Sequence, residues 1–398
     1  MPGRSPHDHW RIAVQPTATV LSPSRSEVVS YDLEGRVRSW FVDGTVYKRT
    51  LASDVVARRS EPGDVPAAAR GPRHRWAVPD DEADALFARA AALAEAAQGA
   101  AEAVPANART ELRARLQDAR VWSPERLRAE RGRFAAAYAP IPILPPDQYG
   151  AVVLQATFGC SWNRCTFCSF YQDRPFQVRP PAAFDAHVAA VAELFGRAAA
   201  DRRGVFLADG NALVLANARL RPILDAARDA FPDRPFAGFV DVFSGERKSV
   251  DDWRELRALG LERVAIGVET GHDPLLAWLN KPGGADAAAA FVADLKRAGL
   301  RVAIILMVGV GGARFAEAHV RDTAALLERL APGAGDVVYL SPFVVHPGSG
   351  YAERAAGDGV QPLEPSAIAE QYRVLRAAAR DLAPRTPVAR YDIDEFVY

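Results

Sequence analysis

Cysteine is scarce in this chain: 398 residues contain three, all between positions 160 and 168. Nothing is left over for a disulfide framework, and an odd, tightly grouped set suits a metal site in a reducing compartment better than cross-links. An excess of either charge is also missing, since Lys+Arg and Asp+Glu both total 49. There is therefore no global field to draw the protein onto nucleic acid or anionic lipid, and any polyanion site has to be local. Long apolar runs are absent too. The longest, Val302 to Val310, is far too short to span a bilayer. Met1 to Pro16, which includes His7, Asp8, His9 and Arg11, has no sustained apolar stretch of the secretory kind. These absences point to a cytoplasmic protein with no membrane partner and no expected nucleic-acid partner. The length permits one sizeable catalytic domain with smaller additions at either end.

What is present falls into four stretches. Residues 1–79 form a β-rich segment and linker: VVSYDL, RVRSWFV and TVYKRTL alternate with the turn signals Glu34-Gly35 and Asp43-Gly44, predicting a small antiparallel meander over Glu27 to Arg59. Residues 60–79, rich in Pro, Gly, Ala and Arg, read as a linker. Residues 80–144 are helical, with Asp80 and Asp81 as candidate caps, Pro105 as a break, and Ser123-Pro124-Glu125 as an N-cap followed by proline. Residues 145–350 alternate apolar runs with segments of 3.6 periodicity, the mark of βα units around a parallel sheet. Six strands are predicted there: Ala151 to Phe158, Gly204 to Ala208, Phe236 to Phe243, Arg263 to Val268, Val302 to Val308 and Val337 to Val345. Residues 351–398 hold a helix from about Pro365 to Leu382 and a short β-like tail. The expected fold class is α/β: a partial (β/α)6 barrel with a small N-terminal β-meander plus helical region and a C-terminal helical extension.

The chemistry centres on FGCSWNRCTFCSFY, where four residues separate Cys160 from Cys165 and two separate Cys165 from Cys168. The loop directly follows an apolar strand. Soft, anionic sulfur matches iron, and short spacings let several thiolates converge on one cubane, three of them leaving one iron unfilled. Two other readings stay open on the residues alone: a zinc site completed by a histidine, His187 being the nearest in sequence, or three small buried hydrophobes.

This loop resembles that of the radical S-adenosylmethionine (SAM) superfamily. Phe167 stands where members carry an aromatic residue before the last cysteine; the first spacing is one residue longer than the commonest family form. The resemblance covers about residues 145 to 350 and is closest to the branch containing oxygen-independent coproporphyrinogen oxidase, its haem-chaperone relatives and methylthiotransferase cores. It implies a [4Fe–4S] cluster on Cys160, Cys165 and Cys168 whose open iron chelates SAM. It also implies further cofactor contacts. Asp209, Gly210 and Asn211 follow the second strand where relatives have a turn facing the SAM amino group, the alternative being an ordinary Asp-Gly turn. Glu269, in GVETG ahead of Lys281, matches a segment that bonds the SAM ribose. Gly309, Gly311 and Gly312 would let backbone approach adenine or carboxylate. His346-Pro347-Gly348-Ser349 stands in the place of a turn near substrate, whereas Asp241 and Ser244 read as caps and His319 as a helix residue.

The function implied is reductive cleavage of SAM to a 5′-deoxyadenosyl radical that takes hydrogen from an unidentified substrate, with a reductant such as flavodoxin or ferredoxin as partner. With no cysteine outside the loop, reactions that need auxiliary clusters or catalytic cysteines drop out. A cluster-bearing carrier of the same fold, such as a haem-binding chaperone, is the alternative. A nucleic-acid role would rest on Arg70 to Arg75 alone, a short run more typical of a solvated linker.

Overall fold

The computed structural model describes residues 10–59, 74–346, 349–393, 396 and 398. Most of the expected linker, including Arg70, and Pro347 and Gly348 of the expected Pro-Gly turn lie outside the described residues. The chain divides into two compact units, one built from residues 1–139, 190–201 and 397–398, the other from 140–189 and 202–396.

The first unit is a seven-stranded antiparallel sheet in simple sequential order. Its strands are β1 (Arg11–Gln15), β2 (Ala18–Ser22), β3 (Glu27–Tyr31), β4 (Val37–Val42), β5 (Thr45–Arg49), β6 (Val55–Arg59) and β7 (His74–Ala77), followed by helices α1 (Asp80–Ala97), α2 (Ala106–Arg120) and α3 (Pro124–Ala137). Asp43 and Gly44, with φ of 46° and 82°, make the two-residue turn that sets Val42 opposite Thr45. Positive φ at both turn positions matches the twist of the strands, and only a residue without a Cβ adopts it freely. The meander is larger than expected. β1 and β2 precede Glu27, and β7 falls inside the stretch read as linker because His74–Ala77 pairs with Val56–Arg59. Leu21, Val29 and Trp40 of the sheet pack against Phe87, Leu112 and Leu116 of the helices. The Ser123 hydroxyl accepts from Arg126 N–H, capping α3 with Pro124 in its first turn. Asp80 and Asp81 are not caps: Pro79 holds that place and they lie in the first turn of α1, where Asp80 binds Arg131.

The second unit holds an open, seven-stranded parallel sheet and a separate two-stranded antiparallel pair. Its strands, in chain order, are β8 (Val152–Gln155), the short pair β9 (Thr157–Phe158) and β10 (Gln177–Val178), then β11 (Val205–Ala208), β12 (Phe236–Phe239), β13 (Leu261–Glu269), β14 (Arg301–Val308), β15 (Val337–Pro342) and β16 (Val388–Arg390). The helices are α4 (Pro181–Phe195), α5 (Asn217–Ala230), α6 (Val242–Gly245), α7 (Val250–Ala258), α8 (Asp273–Trp278), α9 (Ala285–Arg297), α10 (Gly312–Leu330), α11 (Tyr351–Gly357) and α12 (Pro365–Leu382). Seven strands run in the order β8-β11-β12-β13-β14-β15-β16. All six expected strands are present, and the β-like tail supplies the seventh, β16 beside β15. The third expected strand is shorter than read, because Asp241 accepts from Ser244 N–H and starts α6. β8 and β11 are buried throughout, as strands covered on both faces must be. Among the described residues no helix is long and apolar enough to cross a membrane.

Candidate functional site

The cysteine loop is set by the strand before it and by one buried carboxylate. β9 and β10 pair Thr157 with Val178 and Phe158 with Gln177, so the residues between them form a loop closed at its neck. Behind the neck, Asp209, 1% exposed, accepts hydrogen bonds from Gln155 Nε2 and from the Gly159 backbone N–H, both at 3.0 Å. Arg174 Nη1 stands 3.6 Å from the same carboxylate. Burial pushes the Asp209 carboxyl above its usual range, and these donors act against that shift. His187 is occupied elsewhere: its Nε2 accepts from Gln155 N–H at 3.0 Å, which fixes β8 and takes that nitrogen away from any metal.

Cys160, Cys165 and Cys168 all line one cavity of about 180 Å³ at the C-terminal ends of the parallel strands. This is the end at which barrels of alternating strands and helices gather their polar loops. Burial pushes the Cys165 thiol up to about 12 and the Cys168 thiol up to about 11, partly offset at Cys165 by the charge of Lys281 and at Cys168 by a backbone hydrogen bond from Phe170. The Cys165 and Cys168 thiols therefore carry their protons, which a bound metal would displace. All three are free cysteines. Among the described residues no group of three or more His, Cys, Asp or Glu is set to grip a metal ion. A cubane asks less of the geometry than a single ion does, since each thiolate takes a different iron. The donor set fits such a cluster: three unpaired thiols on one loop, open to one shared cavity.

The predicted cofactor residues divide. Phe167, Gly210 and Glu269 line the cavity with the cysteines. At Gly210 a Cβ would come within 2.5 Å of Tyr171 Cε2, so the missing side chain is what lets that ring lie against the turn. Glu269 has a φ of 64°, a left-handed conformation costly for a residue with a Cβ, and it binds Lys281 Nζ at 3.2 Å. Burial alone would lower the Lys281 pKa, but Glu269, Cys165 and Asp241 around it hold the ammonium charged, above its ordinary value. The structure does not bring Asp209, Asn211, Gly309 or Gly311 to the cavity wall. Asn211 is buried behind it, giving its amide to Ser161, Ser244 and Asp241. Gly309 N–H donates to Gln371 Oε1 and Gly311 N–H to the Tyr351 hydroxyl, both at 3.0 Å. The backbone groups expected to meet a ligand are thus already engaged within the protein. His319, the expected helix residue, is fully buried on α10, its ring nitrogens facing Thr270 Oγ1 at 2.7 Å and the Met307 carbonyl at 3.0 Å.

Sequence reasoning missed Tyr171, Ile143, Tyr391 and Ile393, which also line the cavity. The first follows the motif directly, and its place in FGCSWNRCTFCSFY was a usable signal. The others arrive from remote segments and left no such trace.

A three-thiol loop at the C-terminal ends of an open parallel sheet is thus the chemically distinctive feature of this α/β unit. Residues 154–327, a little under half of the chain, match the model of the Radical SAM superfamily. Among solved structures, coproporphyrinogen III oxidase from Escherichia coli aligns with 59% of this chain and 55% of its own, at 16% identity and a TM-score of 0.43. Methylornithine synthase aligns with 61% of this chain and 72% of its own, at 14% identity and a TM-score of 0.41. A radical SAM methyltransferase from Kitasatospora setae, bound to cobalamin and a [4Fe–4S] cluster, aligns with 52% and 40%, at 16% identity and a TM-score of 0.38. This chain thus spans about half the length of the coproporphyrinogen oxidase and less of the methyltransferase. No curated protein matches it.

Proposed function

We propose that this chain is a radical SAM enzyme in which Cys160, Cys165 and Cys168 hold one [4Fe–4S] cluster, with SAM bound beside it and an unidentified substrate in the remaining space. The observation that carries the reading is the convergence of the chain's only three cysteines on one cavity within the region matched to the superfamily. When bound, the cluster would supply the electron that splits SAM reductively, giving a radical able to take hydrogen from substrate. The protein's own residues do the rest. Asp209, Gln155 and Arg174 hold the base of the cysteine loop. Lys281 keeps a positive charge beside Cys165, which offsets the charge of thiolate ligands, and Glu269 fixes that ammonium. Phe167 and the aliphatic residues around the cavity limit water. A cytoplasmic location and a reductant such as flavodoxin or ferredoxin belong to the same reading, as does a catalytic core at residues 145–350.

Anaerobic reconstitution with iron and sulfide, followed by SAM and dithionite, tests it. The expected result is visible cluster absorbance and 5′-deoxyadenosine, both reduced to background in Cys165→Ala. Zinc in anaerobically purified protein, or haem binding without SAM cleavage, would favour a different metal or a carrier and defeat the reading.

A further inference from the structure

The cavity has two chemically distinct sides. One carries the three thiols with Lys281, Glu269 and Asp241; the other is built from Ile143, Phe239, Ile305, Tyr391 and Ile393. On the first side every charge is already matched or outnumbered. Lys281 is held by Glu269, and Asp241 accepts from the Ser244 N–H and hydroxyl and from Asn211. Asp241, Glu269 and Lys281 together leave an excess negative charge, and among the described residues no second Lys or Arg faces the space to receive an anion; the imidazole on this wall, His346, packs against the Phe170 ring at 5.2 Å. Burying a charged group there without a partner would be costly. Two wall hydroxyls, in contrast, stand unused. Tyr171 and Ser341 are 5% and 8% exposed, both line the cavity, and neither hydroxyl makes a hydrogen bond among the described residues. Both residues open onto the cavity, so a molecule that displaces water from it has to supply these hydroxyls with a partner.

Resting on the function proposed above, we infer that the substrate is an uncharged, mainly apolar molecule whose polar group is met by Tyr171 and Ser341, and that Ile143, Tyr391 and Ile393 determine that preference. These three residues lie outside the 154–327 segment matched to the superfamily. Specificity is then written in segments that flank the domain rather than in the domain itself. A polycarboxylate or a phosphorylated substrate does not fit this wall.

A matched set of probes tests the inference on the full chain: 2-naphthylmethanol, 2-naphthoate, 2-naphthylmethylamine and 2-methylnaphthalene, with binding followed by naphthalene fluorescence. The alcohol is expected to bind about tenfold or more tightly than either charged analogue, the scale of one unmet buried group. Tyr171→Phe, which keeps the ring, is expected to remove most of the alcohol's advantage over the hydrocarbon, and Ile393→Asp to weaken both neutral probes. Because Ile393→Asp risks misfolding, Tyr171→Phe is the deciding variant. Equal or tighter binding of the carboxylate or the amine overturns the inference, as does an alcohol preference unchanged in Tyr171→Phe. Iron and sulfide are measured on the same samples. Protein that takes up neither iron nor sulfide on anaerobic reconstitution yet still discriminates among the probes sinks the catalytic reading and leaves the wall chemistry standing, so the two failures are separable.

Discussion

Each unit buries a cation, and the two cations are treated differently. Arg36 in the N-terminal unit is 2% exposed and donates to Asp32 at 2.8 Å, to Glu130 at 3.0 Å, and to the Leu194 and Phe195 carbonyls at 2.7 and 2.9 Å. Four of the N–H donors of its planar fork are engaged, and those contacts tie the hairpin after β3 to α3 and to the last residues of α4. Lys281 in the barrel has one carboxylate partner at 3.2 Å and otherwise looks onto a cavity. The first arrangement holds a structure together. The second keeps a charge poised where the protein leaves room. A buried charge signals a site when its surroundings are left incomplete, and depth alone does not separate the two cases.

Breaking the Arg36 contacts should cost the most stability. Arg36→Met removes the buried cation that Asp32 and Glu130 share, leaving them only Arg49 at 3.6 Å and the half-exposed Arg133 at 2.7 Å, and about 3 kcal/mol should be lost in chemical denaturation, with little change in SAM cleavage per folded molecule. A loss under about 1 kcal/mol would mean that the two cations are not so different. The next effect belongs to His319. Burial lowers its pKa to about 4, below the ordinary value of about 6.5 for an unfolded chain. The folded protein therefore resists protonation that the unfolded chain accepts. Stability from this group is complete above pH ~6.5 and falls as pH drops toward ~4, by up to about 3 kcal/mol. Denaturation midpoints across that range should show a shallower acid slope in His319→Gln than in the parent; parallel slopes would refute the assignment. The smallest change in stability is expected at Lys281. Lys281→Met leaves Glu269 facing the cavity, where water can reach it, so about 1 kcal/mol should be lost while cluster assembly and SAM cleavage suffer far more. A loss as large as that of Arg36→Met would show Lys281 to be structural.

The barrel was more legible in the sequence than the unit before it. Its strands are continuous apolar runs separated by helices of clear periodicity, and all six stand where the runs are. β16 escaped because three residues, Val388–Arg390, carry no measurable period. β7 escaped because its Arg and Trp residues look like linker until β6 is set beside them. At the site, Phe167, Gly210 and Glu269 were found by motif and do reach the cavity, whereas Gly309 and Gly311 show how the same glycine-rich pattern serves helix packing. A Cβ on Gly311 would stand 2.7 Å from Leu275 Cδ1, a crowding set by the tertiary fold and invisible to any local pattern. The far wall was unreadable for the same reason: Ile143 and Ile393 become neighbours of the cysteines only once the sheet has curved.

That wall also has a temporal side. Tyr391, whose hydroxyl is anchored on the Leu144 carbonyl at 2.7 Å, and Ile393 leave the ribosome more than two hundred residues after the cysteine loop. On the function proposed above, a nascent chain would present its thiols to iron long before it owns the surface that would grip a substrate. Metal loading during synthesis would thus come before any ligand could compete for the same space, an order imposed by where the last strand lies in the chain.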